Sequence, residues 1–162
     1  MKKKGAGLII VSPDLSKVLL VKGPTEKWSF PKGHRDRRDR RDTTNLNIDL
    51  NTAMRETREE TGLDPTSYKI YTDAFRLRGG PYTFFYAQVI SSDVTLRKPN
   101  REILDLGWFS LATIKDLHPN VYLHSWMYSV TRHRGLSYTV YTTLSPVVED
   151  RPIIDLPPAE HV

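Results

Sequence analysis

Apolar residues along the chain fall into short runs separated by polar, turn-forming segments. Leu8-Ile9-Ile10-Val11 and Val18-Leu19-Leu20-Val21 are unbroken and rich in β-branched side chains, with Ser12 to Lys17 between them. Runs of this length bounded by turn formers predict a β-hairpin with buried strands. Trp28-Ser29-Phe30 then alternates into Pro31-Lys32-Gly33, which predicts a strand ending in a loop. From Leu50 the period changes. Leu50, Ala53, Met54 and Thr57 fall at i, i+3, i+4 and i+7, one mostly apolar face of a helix ending near Thr61. Thr43 to Asn47 and Asp49 offer N-caps, Gly62 suits the left-handed closing residue, Leu63 its apolar contact, and Pro65 blocks continuation. Strands are expected over 69–77 and 82–90, split by Arg78-Gly79-Gly80-Pro81, and over 105–109. Helices are expected over 111–117 and 122–132, followed by a proline-rich, loosely ordered tail over 146–162.

Charge alters this picture at one place. Residues 35–42 read Arg-Asp-Arg-Arg-Asp-Arg-Arg-Asp, which predicts a solvated loop or short exposed helix with nothing to offer a core. The 162 residues suit one domain, and 38% hydrophobic with 27% charged residues is the balance of a globular chain. No apolar run approaches a membrane span, so no membrane partner is expected. Met1-Lys2-Lys3-Lys4 followed by Gly5 to Val11 resembles a secretory leader only superficially, since the apolar part is short and lacks a cleavage site. Absence of cysteine removes disulfide partners and thiolate chemistry, and is compatible with the cytoplasmic location expected here. A net charge of +5 favours polyanionic partners such as RNA, nucleotides or inositol phosphates, or marks no more than a basic surface.

Within the predicted helix, Glu56 lies three and four residues from Glu59 and Glu60, so the three carboxylates share one side. Three like charges repel, and a hard divalent cation such as Mg²⁺ or Mn²⁺ reverses that cost. A solvated face of mixed charge, with Arg55 pairing Glu59 at i+4, is the commoner fate of such strings.

Residues 55–63, Arg-Glu-Thr-Arg-Glu-Glu-Thr-Gly-Leu, resemble the second half of the Nudix hydrolase signature: Gly, five residues, Glu, seven residues, then Arg-Glu-apolar-any-Glu-Glu-any-Gly-apolar. Thr57 departs from the apolar slot, and Pro31-Lys32-Gly33 supplies the opening glycine. Gly33 and Arg55 are eight residues further apart than the signature allows, and residues 35–42 are the expected insertion. Counting back from Arg55 puts the lone acidic position on Asn47, a departure from the family. The resemblance implies an α/β/α sandwich around a mixed sheet, the Nudix fold, over residues 1–145. It further implies that Glu56, Glu59, Glu60 and the Gly33 carbonyl hold divalent metal, with Arg55 positioning a ligand glutamate. In several such families a glutamate before the Trp-Phe pair acts as general base, which would here be Glu102; an ordinary exposed loop residue is the alternative. Lys32 and His34 flank the box glycine and are candidate phosphate contacts.

Gly5-Ala6-Gly7-Leu8-Ile9-Ile10, Lys17 to Val21, Trp28 to Gly33 and the Glu102-Ile103 preceding Trp108-Phe109 are similar to the catalytic domain of mRNA-decapping Nudix enzymes. That implies hydrolysis of capped RNA to 7-methylguanosine diphosphate, with Arg35, Arg37, Arg38, Arg40 and Arg41 as candidate backbone contacts. Two expected departures stand against it: the fold is expected to begin at once, without the helical domain those enzymes carry ahead of it, and no clear basic helix is expected after it, residues 122–134 being at best a reduced substitute. Pro31-Lys32-Gly33-His34 is also similar to diadenosine-polyphosphate hydrolases, and diphosphoinositol polyphosphates would suit the arginines as well. Tyr82, Phe84, Tyr86 and Trp126 are candidate platforms for a base, although strand aromatics are more often core. A third reading is a catalytically inactive Nudix module that binds RNA or protein.

Overall fold

The computed structural model describes residues 3–40 and 44–132. The tail expected over 146–162, Arg41 and Asp42 of the charged string, and the basic residues His133 and Arg134 lie outside the described residues.

The predicted hairpin forms β1 (Gly5–Val11) and β2 (Lys17–Lys22), paired antiparallel with Val11 opposite Val18. Strand β6 (Tyr82–Val89) runs parallel to β1 on its other side, and β5 (Tyr68–Phe75) pairs antiparallel with β6 through an irregularity between Ile70 and Ala74. β3 (Trp28–Ser29) and β7 (Asp105–Ser110) both join β2, giving a mixed seven-stranded sheet. The segment after Pro31 is a short strand and not the expected loop: β4 (Lys32–His34) pairs with β1, with Gly33 opposite Ala6. Pairing is possible because proline, which has no N–H to give, sits just before the strand. The expected strands at 69–77, 82–90 and 105–109 agree with these elements to within two residues.

Strand side chains alternate between faces, and here both faces are covered. Leu8 and Ile10 of β1 join Leu50, Ala53 and Met54 of α1 (Asn45–Thr61) in one apolar layer. Ile9 and Val11 join Leu123, Trp126 and Val130 of α3 (Val121–Arg132) in the other. That explains why β1 reads as an unbroken apolar run, as strands buried on both sides do. Each fully buried aliphatic side chain contributes roughly 1.5–3 kcal/mol to the transfer from water. The architecture is the expected α/β/α sandwich. Helix α2 (Leu111–Ile114) is a single turn, shorter than the 111–117 predicted.

Helix α1 begins at Asn45, five residues before the predicted start, because Thr44 caps it by accepting from the Asn47 N–H (3.2 Å). Its other end follows the sequence closely. Gly62 adopts φ 80° and donates to the Arg58 carbonyl (2.9 Å), while Leu63 is buried against the α1 layer.

Candidate functional site

The last two turns of α1 carry Arg55, Glu56, Glu59 and Glu60, and the charged string supplies the partner that orders them. Asp36 caps a 3₁₀ turn over Arg37–Asp39, which folds the Asp39 side chain inward until it is 1% exposed. Asp39 accepts from Arg55 Nε (2.9 Å) and Nη2 (3.0 Å), a bidentate pair. The Thr52 hydroxyl (2.8 Å) and the Asp36 N–H (2.7 Å) complete its acceptors. Arg55 Nη2 also donates to the His34 carbonyl (2.9 Å), and Nη1 reaches Glu56 (2.9 Å) and Glu59 (3.3 Å). Burial alone would weaken the Arg55 charge, but Asp39 and Glu56 outweigh it and hold the guanidinium above its ordinary pKa. Arg55 is therefore a fixed hub between the acid that anchors it and the two glutamates it aims.

Two expectations are corrected by this geometry. Residues 35–42 are not simply a solvated insertion, since Asp39 is buried and Arg35, with 9% of its side chain exposed, is tied to Asp49 at 2.8 Å. Arg35 is thus unavailable as a backbone contact for RNA. Nor does the lone acidic position fall on Asn47, which lies eight residues, about 12 Å of helix, before Arg55. Counted forward from Gly33 past five residues, the position is Asp39. The eight extra residues sit between Asp39 and Arg55.

The glutamates occupy graded environments. Glu59 leaves 46% of its side chain exposed, Glu56 leaves 16%, and Glu60 is half-buried, accepting from the Lys32 N–H (3.1 Å). Burial first, then its carboxylate neighbours, push the Glu60 carboxyl up to about 8 against the opposing Lys32 hydrogen bond. Glu56 is raised for the same leading reason, although Arg55 opposes it. Burial likewise lowers the Lys32 ammonium, which lies 4.8 Å over the Tyr82 ring. Gly33 leaves room for the Glu56 carboxylate, onto which a Cβ there would fall.

Among the described residues no three acidic or histidine side chains already converge on one point, because Glu56 and Glu59 are turned onto Arg55. The donor set still fits a hard divalent cation. Three carboxylates crowd one helix end, and two are raised by burial and mutual repulsion, a cost that such an ion relieves. Gly33→Ala tests the packing. The Glu56 carboxylate can swing aside, so the fold should survive while Mn²⁺ affinity, measured by calorimetric titration, falls about 10–100-fold.

Glu102 stands where two clefts meet. One, of about 210 Å³, is lined by Lys27, Lys32 and Glu60 together with Glu102; the other, of about 430 Å³, by Glu59, Arg97, Asn100, Arg101 and Glu102. The structure thus brings Glu102 beside the helix glutamates, which its distance along the chain did not show. Of the aromatic candidates only Tyr82 adjoins the site, beneath Lys32 and beside His34. Phe84 is fully buried, Trp126 is buried and donates to the Tyr86 hydroxyl (3.1 Å), and Tyr82 is packed among His34, Phe84 and Tyr122. None offers a face on which a base could stack. In α3, Leu123, Trp126 and Val130 belong to the core, so the aromatic spacing there reflects packing.

A NUDIX domain model matches residues 1–130. Over 113 residues, 67% of the chain, the sequence is 30% identical to the m7GpppN-mRNA hydrolase of Saccharomyces cerevisiae, of which it spans only 11%. Among solved structures, a C. elegans Ap4A hydrolase binary complex aligns with a TM-score of 0.61 at 20% identity, covering 80% of this chain and 96% of that one. The NUDIX domain of Shewanella oneidensis NrtR complexed with ADP ribose aligns at 0.55 and 19% identity, covering 83% and 90%. These likenesses establish the fold, and the domain match, joined to the buried Arg55–Asp39 hub beneath three helix-end glutamates, settles the family: the chain belongs to the Nudix (NUDIX domain) family.

Proposed function

We propose that this protein is a metal-dependent hydrolase of phosphoanhydrides in nucleoside-diphosphate-linked substrates, and that its substrate is the 5′ cap of mRNA, released as 7-methylguanosine diphosphate. The observation that carries the reading is the set of three helix-end glutamates, two of them (Glu56 and Glu59) held by a buried arginine, with Glu59 and Glu60 lining clefts that have Lys27, Lys32, Arg97 and Arg101 on their walls. Likeness to the yeast m7GpppN-mRNA hydrolase supports the choice of capped RNA.

In this reading Glu56, Glu59 and Glu60, with the Gly33 carbonyl, hold Mg²⁺ or Mn²⁺. When bound, the ion neutralises phosphate charge and lowers the pKa of a coordinated water. Arg55 stays on Asp39 and keeps Glu56 and Glu59 on the site side of α1. Lys32 and His34 stand at the rim of the box glycine and bind phosphate oxygens. Glu102, exposed and shared by both clefts, takes the proton from the attacking water as general base.

The test is a substrate panel: cap-labelled RNA, diadenosine tetraphosphate and diphosphoinositol phosphates, each with Mg²⁺ or Mn²⁺. Release of labelled 7-methylguanosine diphosphate, abolished by Glu60→Gln, is the expected result. Rapid cleavage of the small molecules alone would replace the RNA substrate with a dinucleoside or inositol polyphosphate. No turnover of any of them, with Glu60→Gln indistinguishable from wild type, would leave a non-catalytic binding module.

A further inference from the structure

The segment after β6 crosses the C-terminal end of α1 and is fastened there. The Arg97 N–H donates to the Thr61 carbonyl (2.8 Å), and its guanidinium donates to the Glu59 carbonyl. Gly62 permits this approach, since a Cβ would lie 3.1 Å from the Arg97 nitrogen. Three residues on, Asn100 closes a tight turn. Its side-chain oxygen accepts from the N–H groups of Glu102 and Ile103 (2.8 Å each), its own N–H donates to the Ile103 carbonyl (2.8 Å), and the Ile103 side chain is buried. Arg97 and Arg101 are thereby held on one wall of the 430 Å³ cleft, with Lys98 exposed on the same stretch.

The cations on the two sides of the glutamate cluster are held differently. Toward the 3₁₀ turn, Arg35, Arg38 and Arg55 are each paired with a carboxylate, while Arg37 and Arg40 are exposed with none of the described residues' carboxylates in ion-pair distance. Toward the 97–101 stretch, no carboxylate of the described residues lies within ion-pair distance of Arg97, Lys98 or Arg101. Cations fixed by backbone bonds and left without acids favour oxygen anions in the space beside them. The same cleft contains no aromatic ring, and its one amide oxygen is already occupied by the turn. Glu59 and Glu102 also line the cleft, and its arginines offer charge to a strand without a ring on which a base could stack.

We propose that Arg97, Lys98 and Arg101 form a track for the phosphodiester backbone of the single-stranded RNA attached to the scissile phosphoanhydride, held by charge and without base preference. This rests on the capped-RNA reading above, and it moves the strand from the arginine-rich string to the opposite side of the glutamates.

The test uses full-length Glu60→Gln protein with Mg²⁺ and 3′-fluorescein-labelled capped oligoribonucleotides, one of uridine only and one of mixed sequence. Dissociation constants are measured by anisotropy across a range of KCl. Adding Lys98→Glu and Arg101→Glu should weaken binding at low salt at least about tenfold. It should also reduce the slope of log affinity against log salt by roughly 1–2, near 0.7 for each lost phosphate contact, equally for both oligonucleotides. Both side chains are exposed, so the melting temperature should not move; Lys98→Gln with Arg101→Gln serves as a second pair if it does. An unchanged salt slope, or weakening confined to one sequence, overturns the track. Loss of hydrolysis in Glu60→Gln with an unchanged slope removes the track alone, whereas hydrolysis that survives Glu60→Gln removes the functional reading with it.

Discussion

Asp39→Ala should destabilise the protein by about 3–5 kcal/mol, the usual cost of leaving one member of a buried ion pair without its partner. The side chain is 1% exposed and accepts four hydrogen bonds, two of them from Arg55, itself only 7% exposed in its side chain. Removing it leaves a guanidinium that must either stay buried without its counter-ion or swing toward Glu56 and Glu59. The urea midpoint should fall with the m-value unchanged, and hydrolysis should fall with it because Arg55 no longer aims the glutamates. The comparison that isolates the pair is Asp36→Ala. Asp36 is only half-buried, caps the turn and pairs with the exposed Arg38, so its loss should cost about 1 kcal/mol. Equal losses for the two substitutions would show that Asp39 acts as an ordinary surface acid.

Glu60→Gln should have opposite effects on activity and on stability. Hydrolysis should drop at least about 10²–10³-fold, the scale of losing one preorganised electrostatic group. The metal-free protein should nevertheless become more stable above neutral pH. Burial raises the Glu60 carboxyl from 4.5 to about 8, so between those values the folded protein binds a proton that the unfolded chain has released. Stability from this group is therefore lost as pH climbs from about 4.5 to 8 and is level beyond. Glutamine carries no such charge and removes that decline. Melting temperatures of metal-free wild type and variant should coincide near pH 4.5 and separate in the variant's favour by pH 8. Adding Mn²⁺ at pH 8 should raise the wild-type melting temperature more than the variant's. Identical pH profiles would show that Glu60 titrates as a solvated carboxylate.

The sequence disclosed the site unevenly, and the reasons are physical. Helical geometry is local, so Glu56, Glu59 and Glu60 could be placed on one side of α1 from spacing alone, and Gly62 and Leu63 could be assigned to its end. The unbroken apolar run of β1 likewise announced a strand covered on both faces. Asp39 was hidden because composition describes a segment's average, whereas burial depends on a single side chain finding a partner. A string of arginines and aspartates looks solvated until one aspartate meets Arg55. Locating the extra residues by their unusual composition also misplaced them, since the departure from the signature lies between Asp39 and the glutamates. Phe84 and Trp126 illustrate the converse: which face an aromatic occupies depends on what packs there, and both were claimed by the core.

Strand β1 also bears on how the molecule is made. It lies between β2 and β6, and its parallel pairing sets Gly5 opposite Tyr82 and Val11 opposite Gln88. During synthesis the hairpin of β1 and β2 can form early, but the other edge of β1 has no neighbour until the chain has been extended through β6. Until then an apolar strand destined for the centre of the sheet has one open edge, which invites pairing with another nascent chain. Closing so distant a pair is entropically slow, which makes β1–β6 docking the natural candidate for the rate-limiting event of folding.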